Sequence, residues 1–201
     1  MDAAQPPRRG AYLKGVRRRR EILDRAIEVF AERGAEGTSL RAIGDAIGVS
    51  HAALRHYFVS REQLLLEVYR SAEERSAVDD PVGDDVSVVG VMTHAARRNH
   101  GVPGLVQLYS TLVAGALEDG HEEARTFFVD RFATLRDSLA EQVVAEQAAG
   151  RIRADLPPDA VAALVVAASD GLQVQWLLDP EIDIERALEL LEALLARPDQ
   201  P

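Results

Sequence analysis

Apolar residues recur along most of the chain at the three- and four-residue spacing of helices. Leu23, Ala26, Ile27 and Phe30 fall at i, i+3, i+4 and i+7, and the run RGAEG closes that helix at Gly34. Ser39 stands at the N-cap of a predicted helix over 40–47, on which Leu40, Ile43 and Ile47 share a face. Gly48 follows at the stop position, where a left-handed backbone costs glycine least. Ser50 is placed to cap a short helix over 51–57, and a fourth begins at Arg61 with Leu64, Leu65 and Val68 inward.

Residues 76–90, SAVDDPVGDDVSVVG, break the pattern with Pro81, Gly83 and two aspartate pairs, as a hinge would. Five further helices are expected, over 86–99, 105–117, 122–149, 158–178 and 183–196. Phe128, Phe132, Leu135, Leu139 and Val143 stripe the long central one. The pattern therefore predicts an all-α chain in two parts, 1–75 and 76–201.

Charge divides at the same place. The net charge is −10, yet residues 1–75 hold 14 Lys and Arg against 11 Asp and Glu, and residues 76–201 hold 9 against 22. A basic head on an acidic body is expected where one end meets a polyanion, although a merely solvated arginine tail produces the same count. The absence of cysteine excludes disulfides and thiolate metal sites. The arginines near the N-terminus lack the apolar stretch of a signal peptide, and no apolar run reads as a membrane span, so a cytoplasmic location without a membrane partner is expected.

Catalytic patterns are weak. HEEAR at 121–125 opens like a zinc-protease helix but has Arg125 where a second histidine is required. Glu122 and Glu123 are accounted for by the helix dipole, and His94 and His100 are isolated. Asp79, Asp80, Asp84 and Asp85 lack EF-hand spacing. No enzyme activity, metal or cofactor is expected.

The helices over 40–47 and 51–57, joined by GVS, have the spacing of a helix-turn-helix, which an ordinary core hairpin also shares. The longer stretch ILDRAIEVFAERGAEGTSLRAIGDAIGVSHAALRHYFVSREQLLLEVY, residues 22–69, resembles the DNA-binding domain of the TetR family of bacterial transcriptional regulators. The resemblance implies a homodimer that binds a double-stranded DNA operator through an N-terminal helix-turn-helix domain, with effector binding and dimerisation in 76–201. It further implies that Arg41 reaches a base or phosphate, that His51 and Ala53 face base edges, and that Tyr57 and Arg61 clamp phosphates. Backbone N–H groups at the helix starts after Ser39 and Ser50 add phosphate contacts, and His56 holds a phosphate or packs at the domain edge. Arg17 and Arg18, within the run Arg17–Arg20, contact the DNA backbone or minor groove, or simply form a solvated turn. Leu54 and Phe58 read as core. Arg55 departs from the family, which usually has an aromatic there; it reaches guanine or phosphate, or pairs within the protein.

In the second part, the helix over 158–178 is apolar around most of its circumference, and Ala163, Ala167 and Gly171 permit close approach of another helix. Leu188, Leu191 and Leu195 lie on the broad apolar face of the last helix. A two-fold four-helix contact would cover both, as in the family's usual dimer. Met92, Tyr109, Phe128, Phe132, Leu172 and Trp176 form a candidate effector lining, with Arg131, Asp170 and Gln173 as polar anchors; taken singly, each aromatic is more often explained by core or interface packing. A small apolar or amphipathic effector that releases a repressor from a near-palindromic operator is the leading reading. The alternative is a small-molecule or protein-binding helical module without operator binding.

Overall fold

The computed structural model describes residues 9–33, 39–83 and 85–197. Among the described residues every regular element is a helix: α1 (Arg9–Arg33), α2 (Leu40–Ile47), α3 (His51–Tyr57), α4 (Arg61–Asp79), α5 (Val88–His100), α6 (Pro103–Gly115), α7 (Glu122–Ala148), α8 (Pro158–Leu178) and α9 (Ile184–Leu195). One isolated antiparallel bridge, Ile152 to Ala196, ties the segment before α8 to the end of α9. Gly34, Asp84 and the Phe30 side chain, which the sequence reading used, lie outside what is described.

The helix ends follow the capping chemistry. Ser39 and Ser50 accept from the backbone N–H groups of Ala42 and Ala53 at 3.1 and 3.2 Å. Gly48 adopts the left-handed conformation, φ 70°, and donates its N–H to the Gly44 carbonyl. Most boundaries fall within two residues of the pattern, and two elements extend further than it suggested. Helix α1 spans Arg9–Arg33 and runs through Gly10 and Gly15, although each glycine costs a helix about 1 kcal/mol relative to alanine. Helix α4 continues through Asp79, so the break between the two parts begins only at Asp80.

Gly44 decides how α2 and α3 cross. A Cβ there would stand 2.6 Å from the Val49 carbonyl oxygen and 3.1 Å from Leu54 Cδ1. Only a glycine lets the turn fold back this closely on α2.

The first hydrophobic core gathers Ile22, Ala26, Ile43, Leu54, Phe58 and Leu64, then continues without interruption to Leu108, Leu112 and Phe128. The helix-turn-helix thus shares one core with α6 and the start of α7, closer than a hinge alone would bring them. A second core joins α5, α8, α9 and the later part of α7 through Val89, Leu139, Val143, Val165 and Leu188. Glu146, 3% exposed, sits at its edge and accepts the N–H of Val88 at 2.7 Å, placing a carboxylate on the N-terminus of α5.

Contrary to the sequence reading, one helix is long and apolar enough to cross a membrane by length and composition, Pro158–Leu178. The core helix of a soluble protein passes the same test, and α8 packs into the second core along one side.

Two outcomes test this packing. Gly44→Ala should lower unfolding stability by about 1–3 kcal/mol, whereas Gly115→Ala, where an added Cβ meets nothing, should be neutral or stabilising in the same denaturant titration. Glu146→Ala should cost about 1.5–3 kcal/mol, the range for a buried hydrogen bond to a charged group, read as a lower urea midpoint.

Candidate nucleic-acid interface and effector cavity

Helix α3 is short, and its contacts sort its side chains. Leu54 and Phe58 are fully buried, which turns His51, Ala52, Arg55 and His56 outward. Ala53 and Tyr57 are half-buried against the first core. The small residue central to the open face is therefore Ala52, and Ala53, expected there from sequence, stands at its flank. The ring of His56 meets Tyr57 edge-on at 5.4 Å. No acidic residue occurs between Val49 and Ser60, and Arg41, at the start of α2, is exposed as well. Among the described residues neither Arg41 nor Arg55 is held in an ion pair. The face thus presents a forked cation and two imidazoles with no competing carboxylate on the same helix, the donor set that suits phosphates and base edges.

Other basic candidates are placed differently. Arg17 and Arg18 are helical and reach Glu21 at 3.6 and 2.9 Å on the exposed side of α1. Arg19 turns inward: it pairs with Glu67 at 3.0 Å and lies over the Phe58 ring at 5.2 Å, fastening α1 to α4. Arg61 is half-buried and lines a groove between α4 and α6, where burial lowers its pKa. Beside it, Glu62 accepts the N–H of Ala124 at 3.1 Å and lies 3.3 Å from His121 Nδ1, joining the first turns of α4 and α7.

A cavity of about 200 Å³ lies among α4, α5, α6, α7 and α8. Met92, Tyr109, Arg131, Asp170 and Gln173, all singled out from sequence, line it. Phe128, Phe132, Leu172 and Trp176 do not. Phe128 is buried behind Tyr69 and Tyr109 at centroid distances of 6.2 and 5.7 Å, and Phe132 packs next to it. Leu172 and Trp176 pack on the second core, Trp176 against the His100 ring at 4.6 Å.

The lining is more polar than the residue pattern suggested. Arg131 donates to both carboxylate oxygens of Glu73, at 2.6 and 3.3 Å, and lies 5.6 and 5.4 Å from the Tyr69 and Tyr109 ring centres. The Tyr69 hydroxyl donates to Glu73 at 2.7 Å, and the Tyr109 hydroxyl to Asp170 at 2.8 Å. Asn99 donates to Gln173 at 2.7 Å. Burial raises the Asp170 carboxyl above the usual range, against the pull of Tyr109 and Arg131. Burial likewise raises the Tyr69 and Tyr109 hydroxyls, so both stay protonated donors. Sequence reasoning missed Tyr69 and Glu73 because they belong to α4, which was assigned to the DNA-binding part. Their spacing of four, an aromatic followed one turn later by an acid, is the signal that could have found them.

The candidate interface residues on the last helices also divide. Leu188 is 0% and Leu195 7% exposed; both face this chain's own second core and offer nothing to a partner. Leu191 is half-buried on the same core. Ala163, Ala167 and Gly171 are exposed, and beside them Leu164, Val174, Leu178, Leu190 and Leu194 leave an apolar stripe uncovered on α8 and α9.

Comparison with known proteins agrees with this architecture. Residues 22–68 match the model for bacterial regulatory proteins of the tetR family, and residues 109–198 match the C-terminal model of BetI-type transcriptional repressors. The HTH-type transcriptional repressor AcnR of Corynebacterium diphtheriae is 27% identical over 185 residues, spanning 92% of this chain and 94% of its own. A TetR-family regulator from Rhodococcus sp. superposes with a TM-score of 0.72 at 24% identity, covering 89% of this chain and 98% of that one. A regulator from Saccharomonospora viridis, solved in complex with choline, gives 0.71 at 19% identity, covering 89% and 95%. With the helix-turn-helix built around Gly44 and its acid-free outer face, the chain belongs to the TetR family of DNA-binding transcriptional repressors.

Proposed function

We propose that this repressor acts in the cytoplasm as a homodimer, reads a near-palindromic operator with α3, and is released when a small molecule occupies the cavity behind α4. The outward face of His51, Ala52, Arg55 and His56 carries the reading, because every acid that would repel DNA is absent from it. Arg55 forks onto a guanine edge, the position that sets this operator apart. Arg41 and the first N–H groups of α2 and α3 hold phosphates and so fix register. Tyr57, half-buried, supports the helix from its flank. Arg17 and Arg18, solvated on α1, add general attraction rather than base contacts.

The uncovered stripe of α8 and α9 supports a two-fold contact, formed by Ala163, Ala167 and Gly171 with Leu190 and Leu194 of the same face. Such a contact sets two recognition helices about 34–36 Å apart, one turn of DNA. The shared core gives the cavity its influence on the head. Tyr69 and Glu73 line the cavity, and Leu64 and Leu65 of the same helix pack against the helix-turn-helix. An effector that prefers one setting of α4 shifts the population of dimers able to span both half-sites. The complex of the Saccharomonospora viridis regulator with choline supports the view that this fold accepts a small charged ligand.

Gel shifts with DNA from upstream of the protein's own gene, over a salt series, test the reading. Arg41→Ala should weaken binding to all sequences and reduce the salt slope by about one. Arg55→Ala should cost about 1–3 kcal/mol at one base pair of each half-site and relax preference there. Sequence preference unchanged in Arg55→Ala would remove its assigned role. Leu190→Glu combined with Leu194→Glu should convert a dimer to a monomer in light scattering and abolish operator binding, with helix content retained.

A further inference from the structure

The cavity contains two charged side chains that, among the described residues, are held in no ion pair. Most of its polar groups are satisfied: Glu73 is paired with Arg131, and Asn99 with Gln173. Arg98, on α5, is different. Its Nε is withdrawn from solvent with no hydrogen-bond partner, and among the described residues no carboxylate lies within ion-pair distance of the guanidinium. Asp170, on α8, accepts the hydroxyl of Tyr109 and feels the Arg131 charge from beyond ion-pair distance. The two line the same cavity without pairing with each other. A buried donor left unsatisfied is costly, and its persistence calls for a missing acceptor. A buried carboxylate with no ion-pair partner in the same lining favours a cation.

The same lining includes the aliphatic side chains of Met92, Leu105 and Val106. A molecule that satisfied both ends would therefore carry opposite charges with a short hydrocarbon part. A volume of about 200 Å³ lies below the roughly 300–1,000 Å³ of ordinary ligand pockets, so the occupant is small. A carboxylate on Arg98 would form charge-assisted, two-pronged hydrogen bonds that no neutral group could match. We infer that the effector is a short aliphatic zwitterion, its anionic group held by Arg98 and its ammonium group by Asp170. This rests on the cavity being the effector site proposed above.

The full-length protein provides the test, with Trp176, the single tryptophan, as a fluorescence reporter and melting temperature as a second readout. Four probes of similar length separate the contributions: 6-aminohexanoate and L-norleucine carry both charges, hexanoate only the anion, and hexylamine only the cation. At least one zwitterion should bind about tenfold or more tightly than either single-charge probe, the factor expected from one charge-assisted hydrogen bond. Arg98→Gln should bring that zwitterion down to the level of hexylamine, and Asp170→Asn to that of hexanoate, with the fold of both variants checked by circular dichroism. Failure of both zwitterions to bind overturns the inference. So does binding of hexanoate or hexylamine as strong as theirs, or indifference of the zwitterion to both variants. If a single-charge probe alone binds and releases DNA, the cavity remains the effector site and only the zwitterion falls. Binding undiminished in a folded Ala95→Phe variant, which fills the cavity, overturns the cavity as effector site as well.

Discussion

Tyr69 is locked on three sides by rings, with Tyr109 of α6 at 5.4 Å and Phe127 and Phe128 of α7 at 6.1 and 6.2 Å. Such aromatic pairs contribute about 0.5–1.5 kcal/mol each beyond the area they bury. The Tyr69 hydroxyl also donates to Glu73, which Arg131 grips from α7. One turn of α4 is thus held by packing, hydrogen bond and ion pair at once. The recognition helix depends on this anchorage, because Leu54 and Phe58 belong to the same core as Leu64, Leu65 and Tyr69. Removing the ring cluster would leave the helix-turn-helix intact but without a defined angle to the rest of the molecule.

The acidic body and the DNA-binding head coexist because charge acts locally in salt water. Exposed charges are screened over about 8 Å at physiological ionic strength. Acids on α7 and α9 therefore do not cancel the field at α3, which carries none of its own. At longer range the asymmetry is useful, since it orients the head rather than the body towards a polyanion.

Local chemistry was highly legible in the sequence, and contacts between distant segments were not. Ser39, Gly48, Ser50 and the helical spans follow from capping and periodicity, which act within a few residues. Leu54 and Phe58 were readable as core for the same reason. Errors arose where one apolar face had two candidate partners. Leu188 and Leu195 have the spacing of an interface, but α5 already covers them within the chain. Phe128 and Trp176 have the composition of a pocket lining, yet they pack behind it. Arg98 was invisible as a cavity residue because its significance lies in the lack of a partner, which no sequence displays.

Glu62 and Glu73 fasten α4 to α7 at two points eleven residues apart, through Ala124 at one end and Arg131 at the other. At the helical rise these points stand about 16 Å apart. A rod pinned at both ends resists bending between the pins, so α4 transmits displacement only by sliding or by releasing one pin. The Glu73 pin stands in the cavity wall, whereas the Glu62 pin adjoins the turn that follows the recognition helix. Mechanically this is a strut with one of its two fastenings in the cavity wall. Because the strut resists bending, both of its ends shift together, so a displacement at the cavity arrives undiminished at the helix-turn-helix packed on α4.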